Sequence, residues 1–256
     1  MHSVSTKIYA ANVTALSNKA LYHAAYGKVT DERRKKTDSF RFQRDRQLSL
    51  GAELLLMHGL KQYGLELNKI EYCYGKYGKP YLKDQPDIYF NLSHSEDIVI
   101  CAVSPQEVGC DIEKIANANF SIAKKCFCEN ESEMLDSLKN PESKRELFFR
   151  LWTLKESFIK LTGMGMHMPM NSFYITFDTE RIMVHSKFGY ETCFIREMDL
   201  KHICHIQETA SPKMDWTTDL WKNYKCSVCG LDKKIGAKTR VPFEILNFYD
   251  ILNCCI

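Results

Sequence analysis

Apolar residues recur most regularly between positions 147 and 161, where Leu147, Leu151, Leu154, Phe158 and Leu161 step alternately by four and three. That spacing stacks them on one face of an α-helix. Thr153, Glu156, Ser157 and Lys160 fall on the other side, and Gly163 offers a C-terminal cap. The same spacing of Leu48, Ala52, Leu55, Leu56 and Leu60 predicts a second core-packing helix. Helix formers around Leu16, Leu21 and Ala25 predict a third from Ala15 to Tyr26, closed by Gly27. Phe120 to Leu138 predicts a helix or helix pair, stopped by Asn140-Pro141.

Elsewhere the period shortens to that of strands. Lys7 to Val13 alternates, Ile70 to Tyr74 reads as a strand, and Gly75, Gly78 and Pro80 punctuate a loop around Lys79. Ile88 to Leu92, Ile98 to Val103 and Val108 to Glu113 follow with spacers that suit antiparallel neighbours. Further strands are predicted at Phe173 to Phe177, Ile182 to His185 and Cys193 to Glu197. Either His202 to Ile206 or Tyr224 to Cys229 supplies the last one, with SPKMDWTTDLWKN inserted between them. Helices mixed with short strands predict an α+β (α/β) fold.

Composition narrows the class. The chain has 256 residues and is 45% hydrophobic, enough for one large domain or two small ones. Its 35 Lys and Arg against 32 Asp and Glu leave a net charge of +3, too mild to argue for nucleic acid by itself. No run approaches the ~18 apolar residues a membrane span needs, and the opening residues lack an apolar core behind a positive start. A cytoplasmic protein is expected. The 11 cysteines are dispersed, several inside strand patterns, which fits free thiols in a reducing compartment. Charge is nevertheless uneven: DERRKKTDSFRFQRDRQ forms a local basic arm, either a solvated helix face or a binder of anions.

Candidate chemistry begins at Val108-Gly-Cys-Asp-Ile-Glu-Lys114. Side chains two apart share a strand face, so Asp111 and Glu113 point together. Such a pair is either solvated at a strand edge or neutralised by a hard cation. Glu156 and Lys160 stand one helical turn apart, which alone describes a surface ion pair. Cys226 and Cys229 have half the spacing of a zinc knuckle but no matching second half, and fit ordinary strand positions better.

Taken in order, the basic arm, GKPYL (78–82), FNLSHS (90–95), DIEK (111–114) and LWTLKESFIKLTGMG (151–165) with its M-x-M-N-S-F-Y continuation resemble the 4′-phosphopantetheinyl transferases of the longer, Sfp-like type. YKCSVC (224–229) is similar to that family's last core strand.

The resemblance implies two similar α/β subdomains, 1–106 and 107–256, packed as an intramolecular pseudo-dimer with the active site in the cleft, in a monomer. It implies transfer of the phosphopantetheine arm of coenzyme A to a serine of an apo acyl or peptidyl carrier protein, releasing adenosine 3′,5′-bisphosphate. Neither nucleic acid nor membrane is an expected partner. Carried over by position, Asp111, Glu113 and Glu156 are expected to hold Mg2+, or Mn2+ in its place. Glu131 is the expected base for the carrier serine, and Lys160 the lysine at the scissile phosphate. Lys155 is expected on the nucleotide phosphates, and Lys79 and His94 at the 3′-phosphate, with Pro80 and Ser93 shaping the pocket. Arg33, Lys36 and Arg44 of the arm would serve the same anion.

Two other functions fit parts of the pattern. A nucleic-acid binder would use the arm and leave the acids structural, but acids interrupt the arm and no aromatic platform accompanies it. A non-catalytic coenzyme A or carrier-binding module would have no use for Asp111, Glu113, Glu156 and Lys160 together.

Overall fold

In the computed structural model, which describes residues 5–65, 70–179, 181–210, 218–237 and 241–254, strand residues alternate between two sets of neighbours and so build two main sheets. The first half runs β1 (Lys7–Asn12), a 3-10 turn, α1 (Lys19–Lys28), α2 (Asp31–Ser39), α3 (Gln43–Gln62), the hairpin β2 (Tyr72–Tyr74) and β3 (Pro80–Leu82), then β4 (Tyr89–Ser95) and β5 (Ile98–Ser104). The second runs β6 (Val108–Lys114), α4 (Phe120–Cys126), α5 (Glu129–Ser137), α6 (Pro141–Thr162), β7 (Tyr174–Phe177), β8 (Ile182–His185) and β9 (Phe194–Glu197). It continues through α7 (Leu200–Ala210), α8 (Thr218–Trp221), β10 (Tyr224–Gly230), α9 (Lys233–Gly236), β11 (Phe243–Leu246) and α10 (Phe248–Cys254).

Sheet one has the order β11-β1-β5-β4, and sheet two β6-β10-β9-β8-β7. Alternation along each strand decides which core a residue joins. Tyr9, Ala11, Val99, Cys101 and Val103 pack with Leu50, Leu54 and Leu55 of α3. Their neighbours Ile8, Ala10, Ile98, Ile100 and Ala102 face the other way, onto Val108, Cys110, Ile112, Cys226 and Val228 of sheet two. The far face of sheet two, through Ile175, Val184, Ile195 and Cys229, packs on Leu151, Leu154, Phe158 and Leu161 of α6. Each sheet thus has one long helix on one face and the shared core on the other.

Several local expectations change. Gly27 lies inside α1, exposed and with open space around it, so the helix runs on to Lys28. Phe120 to Leu138 is a helix pair, and Asn140-Pro141 begins α6 as well as ending what precedes it. Asn140 Oδ1 accepts from the N–H groups of Glu142 and Ser143, and Pro141 occupies the first turn, where its missing N–H costs nothing. Residues His202 to Ile206 are helical within α7, and Tyr224–Gly230 is the strand, central between β6 and β9. Cys226 and Cys229 are buried free thiols there. Part of the expected insertion, 211–217, lies outside the described residues.

The largest change concerns β6. Its spacing suits a hairpin partner for β5, yet its ladder forms with β10, Asp111 opposite Ser227, in the other sheet. The division at 106/107 falls in this β5–β6 turn, while β11 and α10 return to sheet one, with β11 parallel to β1.

Edge strand meets edge strand between the sheets, β4 beside β6, through side chains instead of a backbone ladder. Cys110 N donates to Asn91 Oδ1 at 2.9 Å, and its thiol to Asn91 O at 3.3 Å. Helix α6 crosses β6 so closely that a Cβ on Gly109 would stand 2.1 Å from Ser157 O and 2.3 Å from Leu161 N. Beyond its last turn Gly163 takes the left-handed conformation, φ 69°, and caps the helix as its sequence position suggests. Gly109→Ala forces backbone away from backbone, and we expect a loss of about 3 kcal/mol or more in urea unfolding. A native-like midpoint for that variant would show that α6 does not rest on β6 there.

Candidate active site

Asp111 is almost fully buried where β4, β6 and α6 meet. Ser93 Oγ donates to Asp111 Oδ1 at 2.8 Å, Lys160 Nζ donates to the same oxygen at 2.6 Å, and Lys160 also donates to Ser93 Oγ at 2.8 Å. Asp111 Oδ2 is buried and receives no donor. Two residues on, Glu113 Oε2 accepts from Ser95 Oγ at 2.8 Å, and Ser95 Oγ accepts from Lys114 N at 3.1 Å. Glu156 stands half-buried one turn before Lys160 on α6.

These acids feel one another. Burial raises the Asp111 carboxyl above its usual range, against the pull of Lys160. Glu113 is pushed up to about 7, first by burial and then by repulsion from Asp111. Glu156 is raised by burial and again by Asp111. For Lys160 burial opposes the charge, but Asp111 beside it overcomes this and keeps the ammonium protonated. Three carboxylates share one ammonium, so the region lacks positive charge. Among the described residues no three His, Cys, Asp or Glu side chains form a ready metal-binding cluster. The all-oxygen donor set and the unpartnered, buried Asp111 Oδ2 nevertheless fit a hard divalent cation.

His94 reaches the same region. It is exposed on β4, and its imidazole is lowered by the protein around it and then by Lys160, with Asp111 and Arg44 among its charged neighbours. Ser93, expected as a pocket wall, instead links Asp111 to Lys160. Pro80 lies in β3 opposite Tyr74.

Burial gives three other expected site residues internal partners. Glu131 is fully buried: Oε1 accepts from Ile175 N and Lys155 Nζ, both at 2.8 Å, and Oε2 from Cys128 N at 2.9 Å and Lys155 Nζ at 2.7 Å. Lys155, equally buried, also donates to Phe173 O at 2.7 Å. The expected base Glu131 and the expected phosphate contact Lys155 thus pair with each other, and each offsets the desolvation of its partner. Lys79, expected at the 3′-phosphate, likewise points inward. Its ammonium donates to Val108 O at 3.0 Å and to Leu161 O at 2.9 Å, a carbonyl at the end of α6 with no helical partner, and burial lowers it to about 8.

Three cations of the basic arm form internal ion pairs. Arg33 lies 2.6 Å from the buried Glu53, whose other oxygen accepts from Tyr72 OH at 2.9 Å. Arg34 pairs with Asp31, and Arg44 with Glu96 and, at 3.0 Å, Asp97. Arg33, expected at the anion, is thus paired with Glu53, and Lys36 remains exposed on α2.

Sequence reasoning passed over Asn91 and Ser95, whose signal was the two-residue step of Asn91, Ser93 and Ser95 along FNLSHS. It also passed over Glu53, an acid inside the apolar run GAELLL.

The model of the 4'-phosphopantetheinyl transferase superfamily matches residues 107–229, and that of the 4'-phosphopantetheinyl transferase N-terminal region matches 17–106. The chain belongs to the 4′-phosphopantetheinyl transferase family and is an enzyme of that class. Within the family it is similar to a Bacillus subtilis 4'-phosphopantetheinyl transferase, 36% identical over 67% of this chain and 77% of that one. The gsp transferase of Aneurinibacillus migulanus is 35% identical over 73% of this chain and 70% of that one. The Sfp transferase of Bacillus subtilis strain 168 is 33% identical over 67% and 77%.

Two consequences are measurable. Glu131→Gln and Lys155→Met each leave a buried partner uncompensated, and each is expected to cost about 3–5 kcal/mol in denaturant unfolding, with the double variant costing less than the sum. Additive losses would contradict the pair. The Glu113 carboxyl is raised in the fold, so its contribution to stability is present below its unfolded value and lost as pH rises through about 7. The thermal midpoint measured in chelator should fall on going from about pH 5 to about pH 8, and Glu113→Gln should flatten that slope.

Proposed function

We propose that the chain transfers the 4′-phosphopantetheine moiety of coenzyme A to a serine of an apo acyl or peptidyl carrier protein, using Mg2+ or Mn2+ and releasing adenosine 3′,5′-bisphosphate. The observation that carries this is the cluster of Asp111, Glu113 and Glu156, three desolvated acids against the single ammonium of Lys160. Asp111, Glu113 and Glu156 would hold the cation, whose charge, when bound, neutralises phosphoryl oxygens during in-line attack.

The chain's own groups have distinct roles in this scheme. Lys160 is kept protonated by Asp111 and supplies a donor beside the acids, where it stabilises charge on a departing phosphate. Ser93 fixes that ammonium against Asp111 from the opposite sheet. His94 on β4 and its charged neighbour Arg44, in the first turn of α3, suit an anionic nucleotide. We further propose that the two halves act as an intramolecular pseudo-dimer, with the chain working as a monomer in the cytoplasm. Among the described residues no helix is long and apolar enough to cross a membrane.

The test is label transfer from a fluorescent coenzyme A conjugate to a panel of apo carrier proteins, with Mg2+ or with chelator. Transfer should require the cation, and Asp111→Ala, Glu156→Ala and Lys160→Ala should each lower it by about 100-fold or more while circular dichroism stays native. Full transfer by Asp111→Ala would refute the cation assignment.

A further inference from the structure

The two acids of β6 are tied in the same way. Ser93 and Ser95 stand two apart on β4, Asp111 and Glu113 two apart on β6, and each serine hydroxyl donates to one oxygen of its acid at 2.8 Å. In each acid the second oxygen is left over. Asp111 Oδ2 is buried without a donor, and among the described residues no hydrogen bond reaches Glu113 Oε1.

The acids differ in how many restraints they have. Asp111 Oδ1 is also gripped by Lys160, so loss of Ser93 leaves it one partner. Glu113 has Ser95 alone, and Asp111 repels it. Ser95 is itself well placed to hold that acid. Its oxygen accepts the Lys114 N–H, which turns its hydrogen toward Glu113, and its backbone is paired with Ile98 in sheet one. Without that hydroxyl no hydrogen bond opposes rotation of the longer Glu113 side chain away from Asp111.

We propose that Ser95 is a positioning residue, which from sheet one holds Glu113 of sheet two by one carboxylate oxygen and so presents the other to the divalent cation. This rests on the cation site proposed above. It makes cation affinity depend on the alignment of β4 with β6, because the ligand and the group that aims it belong to different sheets. A residue that orients a metal ligand typically governs affinity by about 10- to 100-fold, well above the effect of one exposed hydrogen bond.

The experiment is calorimetric titration of Mn2+ into the full chain with saturating coenzyme A, for the native protein and for Ser95→Ala, Ser95→Thr, Glu113→Gln and Ser95→Ala/Glu113→Gln. Thermal unfolding without cation is measured in parallel. Ser95→Ala should weaken Mn2+ binding about 10-fold with its thermal midpoint little changed, and Ser95→Thr, which restores a hydroxyl, should recover most of the loss. Glu113→Gln should weaken binding at least as much, with the double variant no worse than Glu113→Gln alone. Native affinity in Ser95→Ala alongside a loss in Glu113→Gln overturns the positioning role and leaves the cation site standing. Native affinity in Glu113→Gln, or no Mn2+ binding by the native chain, overturns the cation site itself. A further loss in the double variant shows that Ser95 acts independently of Glu113 and also overturns the proposal. Should Ser95→Ala unfold, Ser95→Cys replaces it, and native affinity there counts equally against the role.

Discussion

The site depends on a contact between two sheet edges joined by side chains and not by a backbone ladder. Edge strands ordinarily end a sheet with unpaired backbone groups. Here β4 and β6 face each other through Asn91, Ser93 and Ser95 on one side and Cys110, Asp111, Glu113 and Lys114 on the other. A backbone ladder tolerates almost any side chain, whereas this seam requires particular ones. Burying Asp111 within it is costly, and the cost is offset by Ser93 from sheet one and Lys160 from α6. Three elements are thereby tied to one carboxylate oxygen.

Placement of α6 follows from residues that carry no reacting group. Gly109 lets the helix backbone lie on β6, and Lys79 holds the helix end by bonding to Leu161 O. Glu131 and Lys155 fasten the helix from another side, to α5 and to the segment leading into β7. Adjacent positions on α6 therefore have opposite fates. Lys155 is sealed in an ion pair that holds the fold, while Glu156 next to it is left half-buried among the acids of the site. In water the two would be equally good candidates for chemistry. Desolvation separates them, because a fully buried charge whose donors are all engaged has nothing left with which to meet a substrate.

The basic arm obeys the same rule. Its local excess of Arg and Lys reads as an anion-binding surface, yet Arg33 neutralises Glu53 beneath it and Arg44 bridges to the β4–β5 turn. What remains near the acids from sheet one is His94, which has both Asp111 and Arg44 of α3 among its charged neighbours.

Much of this was written locally. Helix and strand periods placed α3, α6 and the short strands, the i,i+2 step set Asp111 beside Glu113, and Gly163 marked the end of α6, because those features depend on neighbours a few residues away. The ordered motifs also identified the family, since the same residues at the same spacing serve the same chemistry. Local pattern could not show that β6 deserts β5 for β10, that Lys79, Lys155, Glu131 and Arg33 turn inward, or that Ser95 reaches Glu113. Pairing and burial are decided by segments far apart in the chain, and whether a charge is paired, sealed or presented is fixed only when those segments meet. The sequence by itself thus determined which elements form and which residue types are available for phosphoryl chemistry; the tertiary structure decided which of those residues desolvation leaves able to act.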